Sequence, residues 1–166
     1  MTVTAAGREL TRHITLRPPT FDDALAISGD MRVEDAAELL RATGMTPLEG
    51  LDFCIKNSTS THALIINSDV IGAFGVVPWS LATGRGSPWA LTTNAVYRHR
   101  RAVARLSKPL LESLHRQCPN GLEVMVDAEY TTAVRWLRWL GFVVDGPHPW
   151  GSFGAPFMRA AIGRYE

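Results

Sequence analysis

The sequence has little that would commit it to a metal, a disulfide framework or a membrane. Its two cysteines, Cys54 and Cys118, stand far apart, with no CxxC pair and no clustered histidines. That disfavours a disulfide scaffold and a structural zinc site, and makes a reducing compartment the simplest reading. No apolar run approaches the roughly 20 residues of a membrane-spanning helix. The first residues lack the basic-then-apolar pattern of a signal peptide. Neither charge sign dominates: 17 basic against 16 acidic residues leave a net charge of +1. No global field therefore draws the chain to nucleic acid, an anionic membrane or an acidic partner. A nucleophile elbow, a phosphate-binding P-loop and an internal repeat are missing as well.

What is present is a 46% hydrophobic content over 166 residues, enough for one compact core. Residues 1–12 are mixed and aperiodic and read as a flexible arm, with one domain over residues 13–166. A short alternating strand, His13 to Arg17, ends at Pro18-Pro19. Thr20 caps a helix from Phe21 to Ser28, and a second helix from Val33 to Ala42 carries Val33, Ala36, Ala37 and Leu40 on one stripe before Gly44. Thr46, Pro47 and Glu49 open a third with a capping-box pattern, turning Leu48, Leu51 and Ile55 inward. The period then falls to two. Strands at 62–67 and 70–77 form a hairpin about Ser68-Asp69, and after a Gly/Pro-containing loop a further strand runs from Trp89 to Val96.

A basic bend at Arg98 to Arg101 leads into the main helix, Ala102 to Gln117. There follow a strand at 122–128, a helix at 131–140 ended by Gly141, and terminal strands at 142–144 and 157–162 around a Gly/Pro-rich loop. Trp136 and Trp139, three apart on that helix, read as core or interface packing. The expected order is β-α-α-α-β-β-β-α-β-α-β-β, a mixed, mostly antiparallel α/β sheet flanked by helices.

That order resembles the Gcn5-related N-acetyltransferases (GNAT). The most specific piece is Val124 to Phe142, similar to the family's block of strand, Asn-x-x-Ala and Leu-Tyr-x-x-x-Gly-Phe, with Ala133 and Gly141-Phe142 in register. A closer resemblance is to small GNAT-like proteins of short-tailed bacteriophages related to their internal virion (core-assembly) protein. It is carried by Arg17-Pro18-Pro19-Thr20, Met31-Arg32-x-x-Asp35, Phe74-Gly75-Val76, the Tyr97 to Arg101 bend and Trp136 to Phe142. This narrower resemblance implies phage virion or host proteins as partners, room for a homo-oligomer, and a place in the host cytoplasm or in the virion.

The family resemblance implies acetyl-CoA, held by its pyrophosphate on backbone N–H groups where the main helix begins. It maps that site onto Ala95, Val96, Arg101, Ala102, Val103, Ala104, Arg105 and Ser107. The family's Arg/Gln-x-x-Gly-x-Gly/Ala pattern finds no glycine between Arg98 and Lys108. Either Arg101 takes the first position with Ala104 at the first glycine, or a shifted register brings Ser107 to the second. The family's tyrosine acid falls on Leu137, which has no proton to give, and the strand Trp89 to Val96 holds no Asp or Glu to act as base. Tyr97 and His99 near the bend, or Asp127 at the end of the fifth strand, are the substitutes the sequence offers. Two expectations follow. The first is a GNAT-fold phage protein acting through protein contacts in core assembly or on a host target, its catalysis weak or lost. The second is an acetyl-CoA-dependent N-acetyltransferase acting on a protein or small-molecule amine.

Overall fold

The structure is a computed structural model that describes residues 13–163; the arm expected over residues 1–12 lies outside them. The elements follow the expected order: β1 (Ile14–Arg17), α1 (Phe21–Gly29), α2 (Val33–Thr43), α3 (Pro47–Asn57), β2 (Ser60–Ile66), β3 (Asp69–Ser80), β4 (Arg85–Thr92), a 3₁₀ turn (Asn94–Tyr97), α4 (Arg100–Gln117), β5 (Gly121–Asp127), α5 (Thr131–Leu140), β6 (Val143–Trp150) and β7 (Ala155–Ile162). Both N-caps foreseen at Thr20 and Thr46 form full capping boxes, with Asp23 and Glu49 reaching back to the cap N–H groups. Gly44 and Gly141 close α2 and α5 in the left-handed conformation, at φ +74° and +105°.

The strands form one seven-stranded sheet in the order β1-β2-β3-β4-β5-β7-β6. Every pairing is antiparallel except that of β4 with β5. Helices α1 and α3 cover one face, where Ala24, Ile27 and Leu51 pack with Ala73, Leu91 and Trp89. Helices α4 and α5 cover the other, through Leu114, Val134, Leu137 and Leu140 against Val76, Leu122, Val126 and Ala160.

Several boundaries differ from the sequence reading. The strand expected to run to Val96 stops at Thr92, because the Thr93 hydroxyl accepts the Ala95 N–H and winds the chain into the 3₁₀ turn. The loop expected from Pro78 is instead strand at both ends, with β3 reaching Ser80 and β4 starting at Arg85. The hairpin turns on Asn67 and Ser68, at φ 50° and 71°, one residue earlier than expected. The last pair also extends further, β6 to Trp150 and β7 back to Ala155; β6 is an edge strand, which tolerates Pro147 and Pro149.

Helix α2 departs most. Of its expected apolar stripe, Val33 is 78% exposed and Leu40 55% exposed, and the residue it buries is Asp35. On α1 it is Ala24 and Ile27 that turn inward, with Phe21 left exposed. The α5 tryptophans are partly exposed, Trp139 lying under the Lys108 ammonium at 4.7 Å. Among the described residues no helix is long and apolar enough to cross a membrane.

Candidate active site

The one parallel pair in the sheet is barely a pair. β4 and β5 are in register only at Arg85–Gly121 and Gly86–Leu122, and beyond that the strands separate. A sheet that opens in this way leaves backbone N–H and C=O groups facing a gap, and each needs a partner. Just past β4, Thr93 still donates to Ile71 of β3 at 2.8 Å, but Thr92, the last residue of β4, is turned the other way, into the splay. Just past β5, Ala128 donates to Pro156 of β7, and the N–H of Asp127 likewise points toward the splay.

Helix α2 supplies the missing partners. The Arg32 N–H donates to the Thr92 carbonyl at 3.0 Å, and Met31 bridges to Thr93, so the start of α2 is stitched to the end of β4. Asp35 then accepts the Thr92 N–H at 2.9 Å and the Thr92 hydroxyl at 2.7 Å, both on Oδ2. One turn on, Glu38 Oε2 accepts the Asp127 N–H at 2.9 Å. Two carboxylates three residues apart on one helix face thus tie α2 to the two diverging strands. Arg41, another turn on, pairs with Asp127 Oδ2 and with Glu129, each at 2.8 Å.

The network continues to the start of α5. The Tyr130 hydroxyl donates to Asp35 Oδ1 at 2.8 Å, and Arg32 Nη2 reaches Asp35 Oδ1 at 3.1 Å as well as the Tyr130 oxygen. The Arg32 guanidinium also lies 5.6 Å from the Tyr130 ring and 5.8 Å from the Tyr97 ring. Burial, reinforced by the Asp35 charge, pushes the Tyr130 phenol well above its ordinary range, so it stays a neutral donor. Burial likewise pushes the half-buried Glu38 carboxyl up to about 7, with Asp35 and Asp127 adding to the effect and the Asp127 N–H and Arg32 opposing it.

At the mouth of the splay α4 begins. Its first intrahelical donor is Val103, bonded to the His99 carbonyl at 3.0 Å, which leaves the N–H groups of Arg100, Arg101 and Ala102 to the first turn. His99 is the N-cap residue, yet its side chain makes no capping bond. Its ring instead meets Asp69 at the start of β3, Nε2 to Oδ2 at 2.7 Å, and Arg98 joins the same carboxylate at 3.2 Å. These two partners hold Asp69 below the usual carboxylate range, the His99 hydrogen bond contributing most.

The residues singled out by sequence fall into three groups. Asp127 is buried in the splay, engaged by Arg41, and Tyr97 is half-exposed on the other side of Arg32. His99 is buried against Asp69 at the start of β3. Among the cofactor-turn residues, Ala95, Val96, Ala102 and Val103 pack into a core cluster with Leu64, Ile66 and Ile71, while Arg101, Ala104 and Arg105 are exposed. Ser107 is buried and its hydroxyl donates to the Val103 carbonyl within the helix. Glu38 was missed. The signal was there, since Arg32, Asp35 and Glu38 recur at a spacing of three, but it was masked by the apolar stripe beside it. Two surface hollows of about 460 and 390 Å3 include no residue of the splay. Among the described residues no group of three or more His, Cys, Asp or Glu is placed to hold a metal.

Comparison with solved structures decides what this architecture is. An acetyltransferase of the GNAT family from Bacillus anthracis superposes with a TM-score of 0.65 at 14% identity, over 90% of this chain and 93% of that one. The fold is that of the GNAT acetyltransferases. The aminoglycoside acetyltransferase AAC(6')-Ib in complex with coenzyme A matches with a TM-score of 0.65 at 17% identity, over 92% of this chain and 95% of that one. Spermidine N-acetyltransferase from Vibrio cholerae in complex with CoA and spermine gives 0.62 at 13% identity, over 90% and 94%. No family model and no curated protein matches the sequence. Identities this low leave the GNAT likeness one of backbone architecture, and the chemistry is argued from the splay itself.

Proposed function

We infer that the chain is an acetyl-CoA-dependent N-acetyltransferase whose reaction takes place in the splay between β4 and β5. The observation that carries this is the polar floor of the splay: a carboxyl poised at about 7 beside a fixed carboxylate, a cation and a neutral phenol, where the sheet opens. Structural padding between strand ends does not require such a set, because water or a serine hydroxyl satisfies a lone N–H at less cost.

The residues present fit the cofactor despite the missing glycines. Asp69 holds the Arg98 and His99 side chains, and the amides of Arg100, Arg101 and Ala102 remain for a pyrophosphate. The exposed Arg101 and Arg105 add positive charge beside that turn. When bound, acetyl-CoA supplies a thioester carbonyl open to attack by an amine. The protein's part is to place the amine, accept its proton and exclude competing water. Two of the solved relatives carry CoA and act, by name, on an aminoglycoside and on spermidine, which supports an amine as the acceptor. The narrower expectation, a phage virion or host-contact protein, draws no support from these comparisons.

Acetyl-CoA should therefore raise the melting temperature. At about 100 times Kd a ligand adds about 2.7 kcal/mol, which is about 5–10 °C for a domain of this size. A panel of spermidine, an aminoglycoside and a lysine peptide should then release free thiol from acetyl-CoA with at least one member. The absence of both a shift and turnover at millimolar acetyl-CoA would sink this reading.

A further inference from the structure

We propose that Glu38 of α2 is the base that takes the proton from the acceptor's ammonium. The assignment rests on the acyl-transfer reading above and names a residue for it on a helix, where the fourth strand offers none. Its ground is the division of labour between the two α2 carboxylates. Asp35 is fully committed: Oδ1 receives the Tyr130 hydroxyl and Arg32, and Oδ2 receives the Thr92 N–H and hydroxyl. Such a carboxylate is an immobile anion. Glu38 sits one turn away with a single hydrogen bond among the described residues, from the Asp127 N–H to Oε2. The residue is half-buried where Asp35 is buried.

The surroundings decide its protonation. Burial raises the Glu38 carboxyl most, the Asp127 N–H opposes that, the negative charges of Asp35 on α2 and Asp127 on β5 add to it, and Arg32 opposes them. Arg41 is spent on Asp127 and Glu129, and Tyr130 at the start of α5 contributes a neutral phenol. A carboxyl balanced near 7 is a far stronger base than an ordinary surface glutamate, yet it is still ionised above neutrality. The alternatives are less suited. Asp127 is held by Arg41, His99 by Asp69.

In the step, Glu38 removes one proton from R–NH3+. The freed nitrogen lone pair forms the C–N bond to the acetyl carbonyl carbon, and the C–S bond breaks with its electron pair on sulfur. The second nitrogen proton passes to the departing thiolate through solvent, and Glu38 returns its own proton to solvent. The sum is an amide, a thiol and one proton from an ammonium and a thioester.

The test compares wild type, E38Q and E38D over pH 5.5–9 with the best amine of the panel. Wild-type kcat/KM should fall on the acid side with a midpoint near 7. E38Q, which keeps an acceptor for the Asp127 N–H, should lose about 100-fold or more at pH 8 and show no such limb, while binding acetyl-CoA as wild type does in calorimetry. E38D should recover part of the loss. A 13C titration of the Glu38 carboxyl in the free wild-type protein gives a readout independent of turnover and of the variants' folding; it should show a midpoint near 7. An unchanged acid limb in E38Q, or a carboxyl titrating in the ordinary glutamate range, overturns the assignment while leaving acyl transfer intact. Absence of acetyl-CoA binding overturns both.

Discussion

Asp35→Ala should cost about 3–5 kcal/mol of folding stability, the range for removing one partner from a buried charged network. The carboxylate is 6% exposed and joins three elements, through Thr92 on β4, Tyr130 at the start of α5 and Arg32 at the start of α2. Truncation leaves the Arg32 guanidinium without its anion, the Tyr130 hydroxyl without its acceptor and the Thr92 N–H facing an empty gap, and each loss carries its own desolvation cost. Urea denaturation should show a lower midpoint with an unchanged slope. Asp35→Asn should fall between, since an amide oxygen still accepts but carries no charge. A loss below about 1 kcal/mol for the alanine variant would mean that α2 is held over the splay by something other than this carboxylate.

Glu38→Gln should have the opposite sign, growing as pH rises from about 4.5 and levelling off above about 7. The folded-state carboxyl is raised from 4.5 to about 7. Between those values the folded protein binds more protons than the unfolded chain. Its stability from this group is therefore complete below the unfolded value and is lost as pH rises through about 7. Glutamine does not ionise and escapes that loss. At pH 8 the variant should be more stable than wild type by on the order of 1–3 kcal/mol, discounted for partial exposure; at pH 4.5 the two should coincide. Melting temperatures across that range check it. Equal stability at pH 8 would show that the carboxyl ionises there without strain. A more stable glutamine variant at pH 8, together with the kinetic test, would make Glu38 a residue kept for function at some expense of stability.

The succession of elements was legible because the polarity period changes where the structure does, from helical spacing before Asn57 to alternation after Ser60, and because caps such as Thr20, Thr46, Gly44 and Gly141 carry their own chemistry. The site was not legible, for two physical reasons. Helix α2 was read by its apolar residues, on the rule that these turn toward the core. Its neighbours, however, are the N–H groups of two strand ends, and what satisfies those is carboxylate. Hence Val33 and Leu40 face solvent while Asp35 and Glu38 turn inward. The search for a base began on the strand Trp89 to Val96, where the family resemblance pointed, and passed from there to Tyr97, His99 and Asp127, whereas the carboxyl beside Asp127 comes from a helix far away in sequence. The missing glycines weighed heavily for the same reason. Nothing local in Arg98 to Arg101 shows that Asp69, on another strand, holds two of those side chains.

The most direct measurement is an amide-resolved NMR titration with acetyl-CoA. The account predicts that the N–H signals of Arg100, Arg101 and Ala102 shift together with those of Thr92 and Asp127 along a single binding curve, because one ligand spans the helix mouth and the open strand ends. Shifts confined to other surfaces, or none at millimolar ligand, would contradict it.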